Sequence, residues 1–119
     1  MQPPFTTYAA SRFVNRDAVL AELRQAAAQA GARCPGVQAI LLFGSFAHGT
    51  PTPRSDADLL VVVGEEVDRR QVYDCCLAAF MSSPVPVDLF VQTWAEIEAS
   101  QAEGRGLAAS ALRHALRLF

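Results

Sequence analysis

Hydrophobic positions change period several times along this chain, and each change marks an element. Leu20, Leu23, Ala27 and Ala30 recur at helical spacing behind Asn15, a good N-cap residue, with Asp17 in the first turn. The spacing predicts a helix from about Arg16 to Ala30, with Gly31 as its C-terminal stop. Residues 1 to 14 read as an extended arm. After Pro35-Gly36, the short apolar run Val37 to Phe43 ends in a glycine and reads as a buried strand. Two glycines and two prolines then fill GSFAHGTPTPRS, which predicts a loop with at most a short helical turn after Gly44. Asp58 to Val63 is a second buried strand, closed by Gly64.

Asp68 to Met81 places Val72, Cys76, Ala79 and Phe80 on one helical stripe, and Ser82-Ser83-Pro84 stops it. Val85 to Val91 then alternates with period two. Val85, Val87, Leu89 and Val91 point one way, Asp88 and Phe90 the other, so this is a third strand. Thr93 with Glu96 three residues on forms a capping box that starts a further helix at about Trp94, interrupted by Gly104 and Gly106. The last piece, LAASALRHALRLF, reads as helical for most of its length, with His114 on its polar side. The order is helix, strand, loop, strand, helix, strand, helix: a small α/β sheet protein in a single domain spanning residues 1 to 119.

Composition narrows the function classes. A chain of 119 residues, 51% of them hydrophobic, can build its own core without metal or disulfide staples. No apolar run, Leu59 to Val63 among them, approaches the ~18 residues that a membrane span needs, so no membrane association is expected. The N-terminal stretch lacks a basic region followed by an apolar one, which makes a cytoplasmic location the expectation. Three cysteines cannot all pair. Cys75 and Cys76 are adjacent and Cys34 precedes a proline, so neither a zinc spacing nor a CxxC pair exists and reduced, structural thiols are expected. Ten basic against twelve acidic residues give no footprint for general nucleic-acid binding, which leaves a nucleotide or a protein as the better ligand class.

The chemistry-bearing residues cluster at strand ends. Asp56 and Asp58 are one residue apart at the start of a strand, so the period of two puts both carboxylates on one face, about 7 Å apart along the chain. Two such groups repel each other unless a cation neutralises them, and hard oxygen ligands suit Mg²⁺ or Mn²⁺. By themselves, these residues read first as a solvent-exposed turn with Ser55 and Asp56 capping backbone groups. Asp88 joins the pair if its strand lies beside theirs in the right register; on an edge strand it simply faces water.

Gly44-Ser45 follows directly on a buried strand, where backbone amides can approach phosphate oxygens. The Walker A pattern fails, because Thr50-Pro51 stands where Lys-Ser/Thr is required after Gly44 and Gly49. No GxGxxG, GxSxG or HExxH is present. His48 either faces the phosphates or is an exposed loop histidine, and Arg54 either reaches a phosphate or is a solvated charge.

Read together, residues 44 to 61, G-S-F-A-H-G-T-P-T-P-R-S-D-A-D-L-L-V, resemble the signature of the minimal nucleotidyltransferases of the DNA polymerase beta superfamily. That pattern is Gly-Ser, two residues of which the second is small, Arg-Gly, five loop residues, then Ser-Asp-x-Asp-Leu, and the spacing matches without a gap. The family's third carboxylate corresponds to Asp88 in V-P-V-D-L-F-V. The resemblance covers about residues 16 to 119 and turns the reading of Gly44, Ser45, Asp56 and Asp58 from local structure to function. It implies a mixed sheet flanked by helices, and transfer of a nucleoside monophosphate, AMP from ATP, to a hydroxyl acceptor. It further implies that Gly44 and Ser45 hold the β- and γ-phosphates, with Ser55 and His48 completing the nucleotide contacts. Asp56 and Asp58 would ligate two Mg²⁺ ions, and Asp88 the ion that activates the acceptor. The departure is His48, where the family usually carries arginine; a shorter, mostly neutral side chain weakens phosphate anchoring.

Very short members of this family are similar to antitoxins encoded beside HEPN-type ribonuclease toxins, which implies a HEPN-type protein as partner and acceptor. The apolar C-terminal LRLF and the Trp94 region are either a surface for that partner or packed helix ends. Two rivals stand beside the enzyme. One is a module with weak or no catalysis that neutralises a toxin by contact. The other is transfer to a small-molecule hydroxyl, which requires an acceptor domain that only a homodimer would supply.

Overall fold

A computed structural model describes residues 16–48, 56–106 and 113–119. The expected arm over residues 1 to 14 and the Asn15 cap lie outside them. Helix α1 (Arg16–Arg33) buries Val19, Leu20, Leu23, Ala27 and Ala30, the stripe its spacing defines. Contrary to the sequence expectation, Gly31 does not stop it. The helix runs on to Arg33, and a Cβ at Gly31 would collide with the ring of Phe119, so this glycine serves close packing. The reversal falls instead at Gly36, whose φ of 90° suits glycine and whose missing Cβ makes room for Val67.

Strand β1 (Val37–Phe43) leads through Gly44 into a single helical turn, α2 (Ser45–His48). Strand β2 (Ala57–Val63) follows, then helix α3 (Arg69–Ala79), whose N-cap Asp68 accepts from the amides of Arg70 and Gln71 at 3.1 and 3.3 Å. Strand β3 (Val87–Thr93) is shifted two residues C-terminal to its expected span, while its alternation holds: Leu89 is buried and Asp88 and Phe90 are exposed. Helix α4 (Trp94–Glu103) begins at the expected capping box. The amide of Thr93 donates to Glu96 Oε1 at 2.8 Å, and the amide of Glu96 donates to Thr93 Oγ1 at 3.2 Å. Gly104, at φ 69°, ends it.

The C-terminal segment departs from expectation. Residues 107 to 112 lie outside the described set, but from 113 onward the chain is not helical, and Leu116–Arg117 forms strand β4 against β1. The cause is an open edge: β1 has a free side, and Leu118 donates its amide to Ile40 O at 2.8 Å while Ile40 returns one to Phe119 O at 3.0 Å. Leu116 and Leu118 pack against the core, so LRLF is a strand built into the sheet.

The sheet order is β3-β2-β1-β4, with β2 antiparallel to β1 and parallel to β3, a mixed sheet as expected. One face, with Ile40, Leu42, Leu59, Val61 and Val63, packs on α1 and α3. The other, with Ala39, Leu41, Leu60 and Val62, is covered by Ile97 of α4. No helix among the described residues is long and apolar enough to cross a membrane.

Cys34 and Cys75 are joined by a disulfide, with Cα atoms 5.8 Å apart, which corrects the expectation of three reduced thiols. Packing of α1 on α3 brings together positions 41 residues apart, a proximity no local spacing encodes. Cys76, one step round the helix, stays free in the core, and burial pushes its thiol up to about 11.

Two measurements follow from this framework. Reduction, or Cys34→Ser, should lower the unfolding free energy by about 4 kcal/mol on the chain-entropy account of a loop this long. Urea unfolding with and without reductant checks it, and thiol titration of the oxidised, denatured chain should count Cys76 alone. The Glu96 carboxyl is held below the ordinary value of 4.5, first by the Thr93 amide and then by Arg69, whose guanidinium lies 2.9 Å away. A depressed carboxylate contributes stability that is fully present above 4.5 and lost as pH falls through its folded value. The stability difference between wild type and Glu96→Gln should therefore be constant near neutrality and shrink below that pH.

Candidate functional site

The ladders on either side of β2 bring the C-terminal end of β1 and the N-terminal ends of β2 and β3 to one edge of the sheet. Asp58 stands in register with Phe43 on one side and Asp88 on the other. The amide of Ala57 donates to Pro86 O at 2.8 Å, which ties the starts of the two parallel strands together. The condition set for Asp88 in the sequence, adjacency in the right register, is thus met.

Gly44 lies directly against this pair. Its φ is 79°, and a Cβ would collide with Asp58 Oδ2. Glycine is required here on both counts, conformation and space. Asp58 is half-buried, and its carboxyl is raised above the usual range, first by desolvation and then by the charges of Asp88 and Asp56. Asp56 and Asp88 are exposed. Asp58 therefore sits in the field of both other carboxylates. Among the described residues, however, no group of three His, Cys, Asp or Glu side chains gathers closely enough to hold a metal ion. Register and field bring Asp56, Asp58 and Asp88 to one place; the side chains themselves do not close on a common point.

The turn after Gly44 is held from three directions. Phe46 is 2% exposed and anchors it in the core. The amide of Ala47 donates to Gly44 O at 3.1 Å. Arg16, at the start of α1, donates from Nε and Nη2 to Phe46 O at 2.9 and 2.6 Å, and from Nη2 to Ala47 O at 3.4 Å. Sequence reasoning does not single out Arg16. The contact spans 30 residues, and nothing in the helical pattern around Arg16 signals it. Ser45 and His48 contribute their backbone to α2. Ser55 and Arg54 lie outside the described residues.

Beside the carboxylates, Phe43 and Phe90 make a tilted ring pair with centroids 5.9 Å apart. Phe90, Trp94 and Phe119 are 37%, 39% and 38% exposed, so the Trp94 region is accessible, while of LRLF Leu116 and Leu118 pack against the core and the Phe119 ring is partly open.

A nucleotidyltransferase domain family model matches residues 20–114, a span that contains Gly44, Asp56, Asp58 and Asp88. Among solved structures, a candidate nucleotidyltransferase from Sulfolobus solfataricus shares the fold with a TM-score of 0.57 at 17% identity, covering 86% of this chain and 80% of that one. A toxin-antitoxin crystal structure with AMP-PNP has a TM-score of 0.53 at 18% identity, covering 81% and 72%. At these identities the likeness is one of fold. No curated protein matches the chain in sequence.

The Gly44 geometry carries a direct test. Gly44→Ala should destabilise the chain by about 1–3 kcal/mol, the cost of a strained left-handed backbone with a carboxylate in the way. Gly31→Ala, which meets only the Phe119 ring, should cost less. Chemical denaturation of the two variants side by side gives the comparison.

Proposed function

We propose that this chain, which belongs to the nucleotidyltransferase domain family, transfers a nucleoside monophosphate, AMP from ATP, to a hydroxyl of a partner protein. The observation that carries the reading is the joint placement of Gly44, Asp58 and Asp88 at one sheet edge. A backbone that only glycine permits sits against a carboxylate, and a second carboxylate lies in register beside it.

The donor set fits hard divalent cations: three carboxylates, with Asp58 in the field of the other two, and oxygen ligands throughout. Asp56 and Asp58 would hold two Mg²⁺ ions and Asp88 one of them; Mn²⁺ has the same ligand preference. When bound, such ions neutralise developing phosphate charge and acidify the acceptor hydroxyl. The chain's own part is to bind and orient. The amides of Gly44 and Ser45 would receive the β- and γ-phosphates, with His48 and Ser55 completing the nucleotide contacts. Asp88, on the exposed face of β3, would take the proton from the acceptor oxygen as it attacks the α-phosphorus and pyrophosphate departs.

The fold shared with a toxin-antitoxin structure supports a toxin as the partner, and we place a HEPN-type protein in that role. The exposed Phe90 lies two residues from Asp88 on the same face of β3, where such an acceptor would approach. ATP as donor implies the cytoplasm, where thiol-reducing conditions would open the Cys34–Cys75 bond, so both redox forms should be assayed. One observation favours a second reading. The acidic side chains do not converge, and together with His48 in place of arginine this suits a module that neutralises its toxin by contact without catalysis.

Calorimetric titration with ATP, with and without Mg²⁺, separates the two. The enzyme reading expects magnesium-dependent binding that Asp56→Asn weakens by at least about tenfold, on the order of one lost charge-assisted contact. The same substitution should abolish label transfer from ATP to the partner while leaving the fold intact. No binding at millimolar ATP, with toxin neutralisation preserved, would decide for the contact module.

A further inference from the structure

Helix α2 is a single turn, and a single turn has no intrinsic stability in water. Its carbonyl end needs partners from elsewhere, and Arg16 supplies them. The guanidinium is planar, carries its charge permanently and can serve two acceptors at once, so it fits the Phe46 and Ala47 carbonyls as a lysine could not. The contact continues inward. Phe46 O, which accepts from Arg16, belongs to the same peptide group as the Ala47 N–H, and that N–H donates to Gly44 O at 3.1 Å. Gly44 O in turn shares a peptide group with the Ser45 N–H. Two peptide groups therefore lie in series between the guanidinium and the Ser45 amide. Each hydrogen bond in such a chain polarises the next, and a cation at its far end strengthens the last donor.

We propose that Arg16 is a positioning residue of the nucleotide site. It acts through the Phe46–Ala47 and Gly44–Ser45 peptide groups, fixing the direction of the Ser45 amide and sharpening its capacity to donate to a phosphate. The inference rests on the reading of Gly44-Ser45 as the phosphate-binding turn. It accounts for a cation spent on backbone carbonyls 30 residues away. It also locates fixed positive charge behind a turn in which His48 stands where arginine is usual.

Arg16→Met, Arg16→Lys and Asp56→Asn, titrated with ATP and Mg²⁺ well below their melting midpoints, test it. Arg16→Met should weaken ATP binding by about tenfold, the equivalent of one charge-assisted hydrogen bond. Arg16→Lys should recover part of that loss, because an ammonium keeps the charge but not the fork. In the NMR spectrum of the nucleotide-free protein the Ser45 amide proton should move upfield in Arg16→Met, a shift that a general loss of stability does not produce. Wild-type affinity in Arg16→Met, alongside lost affinity in Asp56→Asn, would overturn the positioning role and leave the nucleotide site standing. Failure of the wild type itself to bind ATP would overturn both. If Arg16→Met does not fold, Arg16→Lys bears the comparison: binding unchanged from wild type together with an unmoved Ser45 amide proton would sink the proposal.

Discussion

The register of β2 against its two neighbours governs everything chemical in this protein. Because β2 is antiparallel to β1 and parallel to β3, the end of one strand and the beginnings of two others meet at a single edge. A slip of one residue in either ladder would turn Asp58 into the packed face and expose Ala57 or Leu59 in its place. The register is held because β2 is buried on both faces, from Leu59 through Val63, so a slip would have to displace the core on one face and the Ile97 contact on the other. Core packing and site geometry are thus one constraint.

That constraint imposes an electrostatic cost. Asp58 is half-buried between two strands, with two other carboxylates in its field and the Gly44 backbone against its oxygen. Nothing in the stability of the domain calls for such an arrangement, and a neutral side chain would sit there more easily. The chain is a nucleotidyltransferase domain, matched from residue 20 to 114, and the residues that work against local stability here are the ones proposed above to carry its chemistry.

The periphery is organised to hold that edge still. Helix α1 is fixed at both ends: at its start Arg16 holds the α2 carbonyls beside that edge, and beyond its last turn Cys34 is bonded to α3 near the opposite end of β1. The C-terminal strand closes the open side of β1 and seats Phe119 over Gly31. Each of these contacts joins parts of the chain at least 30 residues apart.

What the amino-acid sequence determined by itself is whatever depends on residues a few positions apart. The buried strands at Val37–Phe43 and from Asp58 to Val63, the alternation of β3 and the Thr93–Glu96 capping box were all legible, because period and capping are local physics. The Gly-Ser and Asp-x-Asp spacing was legible for the same reason, and so was the need for Asp88 to stand beside them. Only tertiary structure could decide the rest. The alternation of Leu116, Arg117 and Leu118 was a strand signal hidden inside an apolar segment, and the free edge of β1 chose strand over helix. Gly31 looked like a stop until Phe119 arrived from the other end of the chain. The Cys34–Cys75 bond and the reach of Arg16 to Phe46 depend on how helices pack, and packing sums many weak contacts between distant residues that no window of sequence contains.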